Sequence, residues 1–193
     1  MKDTAFQQIP EALKSIEQDT KKSDFTMPSE RKTGSLLRTL VSSKPGGRFL
    51  ELGTGTGLST AWLLSGMHPS SLLDSVDNDN TVLEIARRHL GHDKRLTFHN
   101  CDGGDFIRQA QPNYYDLIFA DAWPGKYSLL DETLDLLNVG GFYIIDDMSP
   151  QQNWPEGHEK KVKKLLKTLN EYSHLNVCRL AWATGIIICC RVN

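Results

Sequence analysis

Phe49-Leu50-Glu51-Leu52-Gly53-Thr54-Gly55-Thr56-Gly57-Leu58-Ser59-Thr60 is the stretch that decides the fold. An apolar run enters a turn with glycine at every second position, and a helix-compatible run follows. Glycine admits positive φ angles there and lets a ligand lie against bare backbone, while the first turn of a helix offers unpaired N–H donors. Asp77 stands 20 residues beyond Gly57, just after the apolar run Leu72 to Val76. A carboxylate at the end of the next strand can accept both hydroxyl protons of a ribose. Turn and acid together predict a nucleotide-like ligand at the carboxyl edge of a sheet.

Outward from this turn the periodicities alternate. Upstream, Phe6, Ile9, Leu13 and Ile16 form a weak amphipathic stripe, a polar segment runs from Gln18 to Arg31, and Leu36, Leu37, Leu40 and Val41 recur at helical spacing before Lys44-Pro45-Gly46-Gly47. Downstream, strands are expected over Leu72 to Val76, Leu96 to Phe98, Tyr115 to Ala120 and Phe142 to Ile145. Helices are expected over Ser59 to Gly66, on the Val82, Ile85, Ala86, His89 face, over Tyr127 to Leu137 with Gly140-Gly141 ending it, and on the Val162, Leu165, Leu166, Leu169 stripe. Leu175 to Leu180 and Gly185 to Val192 then read as two strands with no helix between them, hence an antiparallel hairpin. Repeated βα units make a doubly wound, mostly parallel α/β sheet, here of seven strands with an antiparallel strand from the C-terminal hairpin. The expected organisation is one domain over 1–193, with 1–45 as an N-terminal helical lid and 46–193 as the ligand-binding core.

Composition narrows the partners. The chain has 193 residues, with Lys+Arg 22 against Asp+Glu 24 and a formal charge of −2. No basic block is present to neutralise a run of phosphates, so nucleic acid is not the expected partner. The longest apolar runs, such as Ile186 to Cys190, are strand-sized, against about 20 residues for a membrane span. The start Met1-Lys2-Asp3-Thr4 lacks the apolar core of a signal peptide, so a cytoplasmic location is expected. Four cysteines without metal-ligand spacing agree with a reducing compartment, Cys189 and Cys190 serving as small hydrophobes in a strand.

The dinucleotide fingerprint G-x-G-x-x-G fails by one place: counted from Gly53, the third glycine comes at Gly57, and Leu58 takes the position the pattern needs. Glu51, two residues before the first glycine, puts a carboxylate where the amino group of a methionine moiety would need a partner. The sequence resembles the class I S-adenosylmethionine-dependent methyltransferases, whose first motif is an acid followed by G-x-G-x-G and whose acid after the second strand holds the ribose. The resemblance implies a Rossmann-like fold and S-adenosylmethionine as cofactor, bound by Glu51, Gly53, Thr54, Gly55, Gly57, Ser59, Asp77 and Asn78. It places Asp102 and Gly103 beside the adenine, though Asp-Gly is also a common turn pair. The segment Met27 to Gly34 is similar to the one that closes over the methionine end in this family, with Thr33 and Gly34 at the carboxylate. Ser29 or Thr33 as a plain helix cap is the alternative.

Acceptor chemistry is expected where the fourth and fifth strands end, at Asp121-Ala122-Trp123-Pro124-Gly125-Lys126-Tyr127 and Asp146-Asp147-Met148-Ser149-Pro150. Here the sequence is similar to the catechol and caffeoyl-CoA O-methyltransferases, in which these positions hold a divalent cation. The resemblance implies Asp121, Asp146 and Asp147 as ligands of Mg²⁺ or a similar ion, Asp121 also facing the cofactor. In that branch a lysine three residues after the first metal aspartate helps deprotonate the acceptor, and Pro124 stands there instead. Lys126 can replace it only if the Pro-Gly turn swings it inward; otherwise it is a solvated lysine. His158 is a second candidate base, or an exposed residue in a helix's first turn. Trp123, Tyr127 and Trp154 are candidates for stacking on an acceptor, or for loop packing. The Asn/Asp-Pro-Pro-Tyr run of amino-methyltransferases is absent. A small-molecule hydroxyl is therefore the expected acceptor, and the resemblance implies pairing into a homodimer through N-terminal helices. The rivals are an NAD-dependent oxidoreductase and a non-catalytic S-adenosylmethionine-binding protein.

Overall fold

The computed structural model describes residues 8–151 and 154–193. Phe6 of the N-terminal stripe, the Met1 to Thr4 start, and Gln152 and Asn153 lie outside the described residues. In chain order the elements are α1 (Leu13–Lys22), α2 (Arg31–Ser42), β1 (Arg48–Leu52), α3 (Leu58–Gly66), β2 (Leu72–Asp77), α4 (Asn80–Leu90) and β3 (Leu96–Asn100). There follow α5 (Gly103–Gln109), β4 (Tyr115–Ala120), α6 (Leu130–Asp135), β5 (Leu137–Ile145), α7 (His158–Glu171), β6 (Leu175–Leu180) and β7 (Ile186–Arg191).

The seven strands form one sheet in the order β3-β2-β1-β4-β5-β7-β6. β1 to β5 pair in parallel, whereas β7 runs antiparallel to both β5 and β6. The order reverses between β1 and β4, so this is the doubly wound Rossmann-like arrangement, with its switch point beside the glycine turn. Alternation along the strands feeds two cores. Phe49, Leu117, Phe119 and Ile144 face α1, α2 and α3, while Leu50, Leu52, Ile118, Ala120 and Ile145 face α5, α6 and α7. α3 is buried from Leu58 to Leu64 because it lies between the sheet and α2. At Gly34 of α2 an added Cβ would lie 2.1 Å from Trp62 Cδ1, so α2 and α3 can pack this closely only with glycine there.

Three local expectations change. The helix expected over 127–137 shrinks to α6, because the chain enters it through Leu129 at φ 56°, and β5 already begins at Leu137 opposite Tyr115. Gly140 and Gly141 therefore sit inside a strand, where the register shifts between Tyr115 and Leu117; they mark an irregularity in the ladder instead of a helix end. α5 has no apolar stripe long enough to announce it, yet Asp102 caps it by accepting from Gly104 N at 2.8 Å and Asp105 N at 3.1 Å. α1 continues through Lys22, past the start of the expected polar segment, burying Leu13, Ile16 and Thr20 along one stripe. No helix among the described residues is long and apolar enough to cross a membrane.

Candidate active site

A cavity of about 680 Å³ opens over the carboxyl ends of the central strands, at the switch point. That volume suits a cofactor-sized ligand. At one end lies the glycine turn, with Gly53, Thr54, Gly55, Thr56 and Leu58 on the wall. The three glycines have φ of 101°, 52° and 91°, as a turn exposing its backbone needs. The turn is tied down from β2: Gly53 N and Thr54 N donate to Val76 O at 2.9 and 3.2 Å, and Gly55 N donates to Asp77 Oδ2 at 2.8 Å. Asp77 Oδ1 accepts from Asp79 N at 3.0 Å. Each Asp77 oxygen thus keeps a lone-pair direction, and Asp77, Asn78, Asp79 and Val82 all line the cavity.

Several expected cofactor residues lie elsewhere. Glu51 is fully buried beneath the turn, where Thr60 Oγ1 and Ser75 Oγ each donate to its Oε2 at 2.5 Å. It braces the turn from β1 and does not line the cavity, since β1 directs this side chain to the α3 face of the sheet. Ser59 is buried in the first turn of α3 beside Glu51, and Gly57 opens that helix; neither is on the wall. Asp102 and Gly103 belong to the start of α5, also off the wall. Thr33 is buried inside α2, next to Asp146 rather than at the helix cap, which is Glu30 without a side-chain bond.

Burial pushes the Glu51 carboxyl up to about 7, against hydrogen bonds from Ser59, Ser75 and Thr60 that favour its ionised form. Its folded pKa therefore exceeds the unfolded one near 4.5, so the stability linked to it is complete below about pH 4.5 and is lost as pH rises through about 7. In urea unfolding between pH 5 and 8, wild type should lose about 3 kcal/mol that Glu51→Gln does not. Parallel pH profiles for the two proteins would show that Glu51 is not the titrating group.

The other end of the cavity is built by the chain after β4 and β5. The β4 exit makes a turn in which Tyr127 N donates to Trp123 O at 2.9 Å and Gly125 N to Ser128 O at 2.8 Å. Gly125 has φ 86°, and a Cβ there would lie 2.5 Å from Leu52 Cδ1, so only glycine lets the turn fold this tightly against β1. The turn carries Lys126 inward. Its side chain is buried, and Nζ donates to the main-chain oxygen of Asp146 at 2.6 Å. The alternative of a solvated lysine is thereby overturned.

Asp121 and Asp146 face the same cavity with Asp147 beside them. Burial first, and the Asp146 carboxylate second, push the Asp121 carboxyl well above the usual range; Lys126 and a hydrogen bond from Ser29 Oγ at 3.2 Å oppose this. Burial raises Asp146 likewise, opposed by the Thr184 hydroxyl, which donates to its Oδ1, and by Asp147 N at 2.8 Å. Thr184 arrives from the β6–β7 turn, docked by Met148 N to Gly185 O and Ser149 N to Thr184 O at 3.0 and 2.8 Å. No group of three or more His, Cys, Asp or Glu side chains among the described residues is arranged to hold a metal ion. The expected ligand set of Asp121, Asp146 and Asp147 does not converge, because Asp146 is turned to Thr184 and its neighbour's N–H, and Asp147 leaves the strand at φ 58°.

An aromatic wall completes this end. His158, expected as a possible exposed residue, is 7% exposed; its Nε2 lies 3.0 Å from Tyr127 Oη, and its Nδ1 has no partner among the described residues. Burial, Lys126 and Lys161 hold its pKa below the ordinary 6.5, so the ring is neutral at pH 7. Trp154 packs 4.6 Å from His158, and Trp123, half exposed at 51%, lies under Lys161 Nζ at 3.6 Å from its ring centre. All four rings line the cavity.

A family model described as a methyltransferase domain matches residues 50–148, just over half of the chain. The chain belongs to this methyltransferase family. A relative from Mycolicibacterium paratuberculosis (strain ATCC BAA-968 / K-10), whose name assigns it provisionally to the O-methyltransferases, is 30% identical over 117 residues, covering 58% of this chain and 53% of that protein. The match thus spans about half the length of that relative. The O-methyltransferase TomG from Streptomyces achromogenes, solved with SAM, superposes with a TM-score of 0.82 at 20% identity over 96% of this chain and 92% of that one. An O-methyltransferase from Bacillus cereus, solved in complex with SAH, gives 0.83 at 18% identity over 97% and 93%. These two structures establish the methyltransferase fold. Sequence reasoning missed three residues of the methyltransferase cavity: Ser29 as a partner of Asp121, Thr184 as a partner of Asp146, and Phe25, whose ring lies over Gly55. Phe25 left a signal, as an aromatic residue in a polar segment; Thr184 left none.

Proposed function

We propose that this chain transfers the methyl group of S-adenosylmethionine to a hydroxyl of a small-molecule acceptor. The observation that carries the reading is a single cavity with a glycine turn and Asp77 at one end and Lys126, Tyr127 and His158 at the other. The bound cofactor supplies an electrophilic methyl on a sulfonium, so the protein has to align acceptor and methyl, exclude water and remove one proton. Asp77 holds the ribose hydroxyls and Asn78 lies alongside. Asp121, an acid strained by burial, favours a cationic partner and takes the methionine end, with the Ser29 hydroxyl supporting this wall. Of the described residues, 8–45 cap the core formed by those from 46 onward.

Trp123, Tyr127 and Trp154 seat the acceptor. The neutral His158 ring takes the acceptor's proton through the Tyr127 hydroxyl to which its Nε2 is bonded. The acceptor oxygen then forms a bond to the methyl carbon, the carbon–sulfur bond breaks, and its electron pair stays on sulfur. The divalent cation implied by the resemblance is left out of this reaction, because the three aspartates do not converge on one point.

The test is calorimetric titration of ligand-stripped protein with S-adenosylhomocysteine and, separately, NAD, followed by a turnover assay on hydroxylated acceptors. Micromolar binding of S-adenosylhomocysteine, none of NAD, and acceptor-dependent release of S-adenosylhomocysteine are expected. Absence of binding, or NAD binding in its place, would overturn the reading. Binding without turnover on any acceptor would favour the non-catalytic alternative.

A further inference from the structure

The acid cluster at the ends of β4 and β5 contains its own cation. Among the described residues Lys126 is the only buried lysine or arginine. It is 5% exposed, and its ammonium is fixed by the bond to Asp146 O at 2.6 Å, with the Tyr127 ring centre 5.2 Å away. Its field acts on Asp121 at the cofactor end and on His158 at the acceptor end, so the charge is felt across the width of the site. A divalent ion needs several oxygens converging at about 2.0 to 2.6 Å, mostly carboxylates. Asp146 Oδ1 is instead engaged by Thr184 and by Asp147 N. A second, doubly charged cation would also have to be placed beside a buried ammonium in a medium that screens poorly.

We propose that Lys126 is a resident cation that takes the place of a divalent ion in this site, compensating Asp121 and stabilising negative charge on the acceptor oxygen. The role in transfer rests on the methyltransferase reading above; the exclusion of a divalent ion does not. Lys126 on this view is an electrostatic group and not the base, because its Nζ is committed as a donor to the main-chain oxygen of Asp146 at 2.6 Å. The proton of the acceptor leaves towards His158 through the Tyr127 hydroxyl.

The experiment is a Mn²⁺ titration, followed by electron paramagnetic resonance and calorimetry, of the chelator-treated 193-residue chain and of Lys126→Ala. Wild type should show no saturable Mn²⁺ site below millimolar concentrations. Lys126→Ala should bind Mn²⁺ at least tenfold more tightly, since a merely structural lysine would leave cation affinity unmoved. One tight Mn²⁺ per wild-type chain would overturn the proposal, and this arm needs no variant that folds. Equal Mn²⁺ affinity in a folded Lys126→Ala, shown by an unchanged circular dichroism spectrum, would overturn it as well. S-adenosylhomocysteine is titrated into the same wild-type samples with and without Mn²⁺, and equal affinity is expected. Failure of that ligand to bind at all would sink the methyltransferase reading while leaving the cation result to stand.

Discussion

Asp77→Ala should weaken S-adenosylhomocysteine binding about 100-fold, or about 3 kcal/mol, the combined worth of two hydrogen bonds to an ionised acceptor. The carboxylate already accepts Gly55 N–H at 2.8 Å and Asp79 N–H at 3.0 Å. These bonds fix its plane, so it meets a ribose without paying to become ordered. Asp77→Asn keeps one acceptor oxygen and should lose about tenfold. Both N–H groups released by the alanine lie on the open wall of the cavity, where water can take them, so thermal stability should change little. Calorimetric titration paired with a melting curve separates the two effects. Unchanged affinity in Asp77→Ala would mean that the ribose lies elsewhere.

A second large effect is expected at His158. His158→Gln should lower kcat by about 100-fold or more, the usual worth of a positioned base, and leave S-adenosylhomocysteine affinity within about twofold. Tyr127→Phe removes the hydroxyl bonded to Nε2 and should lower kcat in the same direction, with turnover falling together in the double variant instead of multiplying. The pH profile carries an independent sign. Only the neutral ring accepts a proton, and burial with two nearby lysines holds its pKa below 6.5. Turnover should therefore be flat through neutrality and fall only on the acid side of 6.5, with that limb missing in His158→Gln. Full activity in His158→Gln would dispose of the assignment.

The two ends of this cavity were unequally legible in the sequence. The cofactor end follows from contiguous residues: three glycines at alternate positions, and an acid at the end of the next strand. Their relation is fixed by short spacings that any βαβ unit converts into the same geometry. Even there the chain gave residue types and not directions. Glu51 and Asp77 are both acids at strand ends, yet alternation of side chains along a strand buries one beneath the turn and leaves the other on the wall.

The α/β architecture shows the same division. Apolar periodicity announced every one of the seven strands, and the missing helix between β6 and β7 announced the antiparallel partner of β5. It did not show that β5 starts at Leu137, because pairing with Tyr115 overrides what glycines 140 and 141 suggest locally. By itself, then, the sequence determined the sheet, its switch point and the cofactor turn, since these depend on patterns confined to neighbouring residues. Only the tertiary structure decided the acceptor end. There Gly125 turns Lys126 inward against Asp146, Thr184 arrives from a hairpin 38 residues further along the chain, and Ser29 reaches Asp121 across 92 residues. Contacts between such distant positions are set by how packed elements close on one another, and no local spacing encodes them.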